Sequence, residues 1–119
     1  MTIEELRIRI DELDRQLVDL LNERARAAQM VGHLKAATSL PVYEPNREKL
    51  VYANVRAANK GPLPDIELTH IYERIIDVMR ALQRHELASQ RNIQENAQAA
   101  QQGESGHAAG ATPPETGKR

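Results

Sequence analysis

A chain of 119 residues has room for one domain but not for two. It contains no cysteine, which excludes disulfides and thiolate metal sites, and its four histidines lack the spacing of a metal site. Sixteen Lys and Arg nearly cancel seventeen Asp and Glu, whereas a nucleic-acid binder carries a clear excess of basic charge.

The N-terminus reads Met1-Thr2-Ile3-Glu4-Glu5, with acids where a signal peptide would carry lysines, and no apolar run approaches membrane-span length. A cytoplasmic protein without a membrane partner is the expectation. Phe and Trp are absent while Ala, Leu, Glu, Arg and Gln abound, which favours helix over strand and predicts an all-α fold.

Thr2 and Glu5 form a capping box directly before an apolar periodic run. Ile3, Leu6, Ile10, Leu13, Leu17, Leu20, Val31 and Leu34 follow at steps of three and four, interrupted at positions 24 and 27. Nothing breaks the pattern before Thr38-Ser39-Leu40-Pro41, so the first helix is about 36 residues and roughly 50 Å long. Glu44-Pro45 predicts a second helix, with an acid as cap and proline in its first turn, running to about Asn59 before Lys60-Gly61-Pro62 stops it. Pro64-Asp65-Ile66-Glu67 opens a third, whose stripe is Leu68, Ile71, Ile75, Val78 and Leu82, flanked by Tyr72, Ile76 and Met79. Residues 1–88 make the helical domain and 89–119 a C-terminal extension, first a helical continuation and then, from Gly103, an expected disordered tail.

One long helix and two shorter ones cannot cover the whole apolar seam within a single chain. Ile3, Leu6, Ile10 and Leu13 would face water, at a cost of ~1.5–3 kcal/mol for each aliphatic side chain left unburied. An intertwined homodimeric helical bundle resolves this.

The seam holds charges where aliphatic residues belong. In heptad terms Arg24 occupies a core position, with the small Ala27 at the next one. Either its head snorkels to water, or the space beside it receives an anion. Lys35 lies almost in the same angular direction, about 16 Å further along the axis. It either complements the helix dipole or joins Arg24 in holding a small dianion. Arg47, beside Glu48, opposes the dipole at the start of the second helix, and Gln83 is polar on a mostly apolar flank of the third. Arg7 is about 25 Å from Arg24 on one helix, so the two can share a pocket only across a dimer.

Taken in order, these residues resemble the all-helical (type II) chorismate mutase family over about residues 3–87. The resemblance is carried by Leu6-Arg7, Ile10-Asp11, Leu13-Asp14, Leu20-Leu21-Asn22-Glu23-Arg24 and Val31-Gly32 with Lys35. It continues through Pro41-Val42-Tyr43-Glu44-Pro45-Asn46-Arg47-Glu48 and Ile71-Tyr72-Glu73-Arg74-Ile75-Ile76 before Gln83. The resemblance implies rearrangement of chorismate to prephenate, a unimolecular step that uses no cofactor, metal or nucleophile. It implies that Arg24, with Arg7 from a partner chain, clamps carboxylates, and that Arg47 adds a further cationic contact. Lys35 and Gln83 would donate to the ether oxygen, Glu48 would accept from the substrate hydroxyl aided by the backbone at Glu44, and Val31, Val51 and Ile76 would form the apolar wall. Two departures stand out: Met79 replaces a small hydroxyl residue, leaving Arg80 or water to substitute, and Glu44 replaces the usual aspartate.

Two other readings stay open at this level. An isochorismate-pyruvate lyase uses a similar cationic pocket on the same scaffold, although Arg47-Glu48 together with Gln83 favour the mutase. A non-catalytic helical dimerisation or regulatory module would explain the seam but not Arg24 within it. A helix-turn-helix DNA reader is a poorer fit, given the balanced charge and the length of the first helix.

Overall fold

The computed structural model describes residues 1–109, with side chains to residue 102. Three helices, α1 (Ile3–Thr38), α2 (Pro45–Ala58) and α3 (Asp65–Ala109), make up the described chain, and no strand occurs among the described residues. None of these helices is long and apolar enough to cross a membrane.

The start of α1 is the expected capping box. Thr2 Oγ1 accepts from the Glu5 amide at 3.1 Å and Glu5 Oε1 from the Thr2 amide at 2.9 Å, satisfying two amides that the first turn leaves unpaired. At its far end Ser39 takes the left-handed conformation, with φ 62°, and turns the chain toward α2. Pro45 opens α2 as anticipated, but Glu44 makes no side-chain cap. Its backbone carbonyl accepts from the Glu48 amide at 3.0 Å, while its carboxylate is engaged elsewhere. Between α2 and α3, Asn59 organises the turn. Its Nδ2 donates to the Leu63 carbonyl at 2.9 Å and its Oδ1 accepts from the Gly61 amide at 3.0 Å. Gly61, at φ +74°, occupies a backbone region that L side chains rarely adopt.

The chain divides into two compact units, Met1–Leu87 and Ala88–Arg119. In the first, the C-terminal half of α1 packs with α2 and with the part of α3 before Ala88. Among the described residues the buried apolar side chains are Ala28, Val51, Ile76 and Met79. Gly32 is the point of closest approach between α1 and α3. A Cβ placed there would stand 3.0 Å from the Gln83 Cα and 3.1 Å from its carbonyl oxygen. Residues 1–23 are all exposed in the single chain, including Ile3 at 68% and Leu17 at 55%.

In the second unit α3 stays helical to Ala109. α3 thus runs on past Gly103, where the sequence reading places the start of the tail. Gly103 and Gly106 each cost only about 1 kcal/mol in a helix interior, and the neighbouring Gln, Glu and Ala are good helix formers. The expectation for residues 110–119 lies outside the described residues.

Candidate active site

All three helices of the first unit contribute to a cavity of about 470 Å³. From α1 come Arg24, Ala27, Ala28, Val31 and Lys35; Val42 and Glu44 come from the connection; Arg47, Glu48 and Val51 from α2; and Ile76, Met79, Arg80 and Gln83 from α3. Helical spacing explains the set. Positions 24, 28, 31 and 35 share one face of α1, as do 76, 80 and 83 on α3. Ala27 and Ala28 leave the room that larger side chains at those positions would fill. Four cations, Arg24, Lys35, Arg47 and Arg80, face two carboxylates, so the lining suits a dianion.

Lys35 is the most enclosed charge among the described residues, at 5% exposure. Taking an ammonium out of water costs several kcal/mol unless acceptors replace the lost hydration. Three do so here. Nζ donates to Gln83 Oε1 at 3.0 Å and to the Val42 carbonyl at 3.3 Å, and pairs with Glu44 Oε1 at 2.6 Å. This last contact is where the missing helix cap of Glu44 has gone. Because an ammonium only donates, the Gln83 atom facing it is the oxygen, which leaves the Gln83 amide N–H₂ as the donor end of that side chain.

Glu48 is held by Arg80. Nε donates to Glu48 Oε2 at 2.9 Å and Nη2 to Oε1 at 3.2 Å, a bidentate fork partly shielded from solvent. The Arg80 guanidinium also lies 5.4 Å from the centroid of the Tyr43 ring, and its Nη2 is 3.4 Å from Asp77. Arg80 is one of the two groups expected, from the family resemblance, to stand in for a hydroxyl at position 79. Its Nε and Nη2 are directed at Glu48 instead, while Met79 is buried as apolar wall. Beside this cluster the Tyr52 hydroxyl is pushed above its ordinary value. Burial is the largest cause, followed by the carboxylates of Glu73, Glu48 and Asp77, with Arg80 acting in the opposite sense.

Arg24 and Arg47 differ from the other two cations. Neither makes an ion pair or side-chain hydrogen bond among the described residues, yet both line the cavity. Of the residues singled out from sequence, Arg24, Lys35, Glu44, Arg47, Glu48 and Gln83 are gathered around one cavity, as are Val31, Val51 and Ile76 of the expected wall. Arg7 is not among its lining, being exposed on the N-terminal half of α1. The Arg80–Glu48 fork, the Tyr43 contact and the burial of Lys35 were not read from sequence. The spacing of Arg80, four residues past Ile76 and three before Gln83, was the available signal.

Residues 6–84 match the family described as chorismate mutase type II. A bifunctional chorismate mutase/prephenate dehydratase from Aquifex aeolicus is 36% identical over 86 residues, covering 69% of this chain and 24% of that protein. The chain thus spans about a quarter of the length of the bifunctional relatives it matches. A chorismate mutase from Methanocaldococcus jannaschii is 32% identical over 74% of this chain and 90% of its own length. Among solved structures, Form II of chorismate mutase from Thermus thermophilus superposes with a TM-score of 0.68 at 34% identity, covering 69% of this chain and 93% of that one. The Helicobacter pylori chorismate mutase, solved in complex with prephenate, gives a TM-score of 0.66 at 30% identity, covering 72% and 93%. On the strength of this match and of the cavity that its residues line, the chain belongs to the chorismate mutase type II family.

Proposed function

We propose that this chain is a chorismate mutase, an isomerase that converts chorismate to prephenate within the cavity between α1, α2 and α3. The observation that carries the reading is the pair of cavity-lining arginines, Arg24 and Arg47, without an internal carboxylate partner among the described residues. Two uncommitted guanidiniums fit the two carboxylates of chorismate, and planar forks suit them better than lysine would.

The rearrangement forms one carbon–carbon bond as one carbon–oxygen bond breaks within a single molecule. A protein accelerates such a step by holding the flexible substrate in its compact reactive conformer and by placing donors where the departing ether oxygen gains charge. Lys35 and the Gln83 amide are suited to that oxygen. Glu44 is the exposed member of the Lys35 acceptor set, with 45% of its side chain accessible, so substrate can displace it and release one ammonium N–H. Glu48 serves as acceptor for the ring hydroxyl, assisted by the backbone at Glu44, and Val31, Val51 and Ile76 shield the apolar ring.

The functional unit is a homodimer, with the exposed α1 seam of one copy laid against another and Arg7 reaching the cavity of its partner. Supporting this are the exposure of residues 1–23 and the small apolar core, which among the described residues buries only Val51, Ile76 and Met79 as large side chains, at ~1.5–3 kcal/mol each too little to hold three helices. The test is loss of chorismate with appearance of prephenate, run beside isochorismate as the alternative substrate. Turnover of chorismate supports the mutase; pyruvate release from isochorismate alone replaces it with the lyase. Sedimentation at the working concentration decides the dimer.

A further inference from the structure

We infer that Arg80 is a positioning residue whose task is to keep the Glu48 carboxylate away from the substrate-clamping arginines. The inference rests on the chorismate mutase reading and extends it to a residue which that reading leaves without a role.

A carboxylate in a cationic cavity is a competitor for the site. Arg47 is the residue next to Glu48 on α2, and Arg24 lines the same cavity. An unrestrained Glu48 would be drawn to either and would neutralise, from within, a charge meant for a substrate carboxylate. The structure shows the opposite. Both Glu48 oxygens are taken by the Arg80 fork, at 2.9 and 3.2 Å, and Arg24 and Arg47 remain unpaired among the described residues. Arg80 is itself held from the connection by the Tyr43 ring at 5.4 Å and from its own helix by Asp77 at 3.4 Å. Its place is thus over-determined, and Glu48 inherits that constraint. A forked carboxylate keeps lone pairs for one more donor, so Glu48 can still accept from a substrate hydroxyl.

Removing the guanidinium while keeping the stem, as in Arg80→Met, frees Glu48 to collapse onto Arg47 or Arg24. The expected result is a rise in KM for chorismate of about tenfold, with kcat changed much less, because binding charge is lost and the reacting oxygen keeps its donors. Arg80→Lys, a point charge that cannot fork, should fall between Arg80→Met and the wild type. The decisive arm is the double variant Arg80→Met/Glu48→Gln. A neutral amide has no reason to occupy the arginines, so KM should return most of the way to that of Glu48→Gln alone. Thermal melts of each variant identify any that is not folded, and the Arg80→Lys series supplies the comparison if Arg80→Met is not. No rescue in the double variant, or a KM equal to the wild type in Arg80→Met, overturns the role given to Arg80 and leaves the mutase reading intact. A wild-type protein that neither binds nor converts chorismate overturns the mutase reading itself, and this one with it.

Discussion

Lys35 Nζ stands 3.0 Å from Gln83 Oε1 across the contact between α1 and α3, and Gly32, one turn before Lys35, packs against the backbone of that same glutamine. Gly32 sets how close Gln83 comes and Lys35 sets which way its amide points. Placing a methyl group at position 32 tests this division. Gly32→Ala gains ~1 kcal/mol of helix propensity but must move α3 by a few tenths of an ångström, since backbone atoms at 3.0 and 3.1 Å block the Cβ. Stability should change by no more than ~2 kcal/mol, whereas kcat/KM should fall about tenfold or more. Denaturant unfolding beside steady-state kinetics checks it; unaltered kinetics would mean that the close approach is packing alone.

Arg7 should act in trans. Homodimers of Arg7→Ala and of Arg24→Ala should each be nearly inactive, since every cavity lacks one clamp. Coexpressed and randomly assorted, they should recover about a quarter of wild-type sites, because one cavity in each heterodimer regains both arginines. Isolated heterodimers as inactive as their parents would rule out the shared site.

Alkaline stability should depend on Tyr52. Its hydroxyl titrates above the ordinary 10.0, so the folded chain binds that proton more tightly than the unfolded chain does. The contribution is complete below 10.0 and is lost as pH climbs through the raised value. Melting temperature followed into alkali should therefore decline less steeply in Tyr52→Phe than in the wild type. Parallel curves would contradict the assignment.

Removal of residues 103–119 should leave turnover and dimer mass unchanged, because every cavity-lining residue lies between Arg24 and Gln83. A large loss of activity in the truncated chain would assign that segment a role in catalysis or assembly.

Much of the fold was legible because its signals are local. The Thr2/Glu5 box, Pro45 and Asp65 mark where each helix opens, and the break at Thr38-Ser39 marks where α1 ends. Periodicity carried the faces, so Arg24 and Lys35 could be aligned on α1. Less legible were the choices among partners. Glu44 has the composition of a helix cap, yet its carboxylate turns to Lys35, because a buried ammonium gains more from an acceptor than an exposed helix terminus does. Arg80 could be placed on the cavity face by spacing, but sequence does not say whether a guanidinium meets substrate or Glu48. Gly32 is merely tolerable in a helix by propensity, and only the approach of Gln83 gives it a purpose.

Whether Lys35 and Gln83 meet the oxygen on which charge develops is tested most directly by Gln83→Glu measured across pH. The neutral amide donates at every ordinary pH. A glutamate beside Lys35 donates only when protonated, and when ionised sets a negative charge against the departing oxygen. Loss of one preorganised donor of this kind typically costs ~3–4 kcal/mol. The expected result is that Gln83→Glu loses turnover near neutral pH and regains it in acid, following protonation of the new carboxyl, while Lys35→Ala stays inactive throughout. A Gln83→Glu profile that matches the wild type in rate and shape would contradict the claim, since Gln83 would then have no contact with the reacting oxygen.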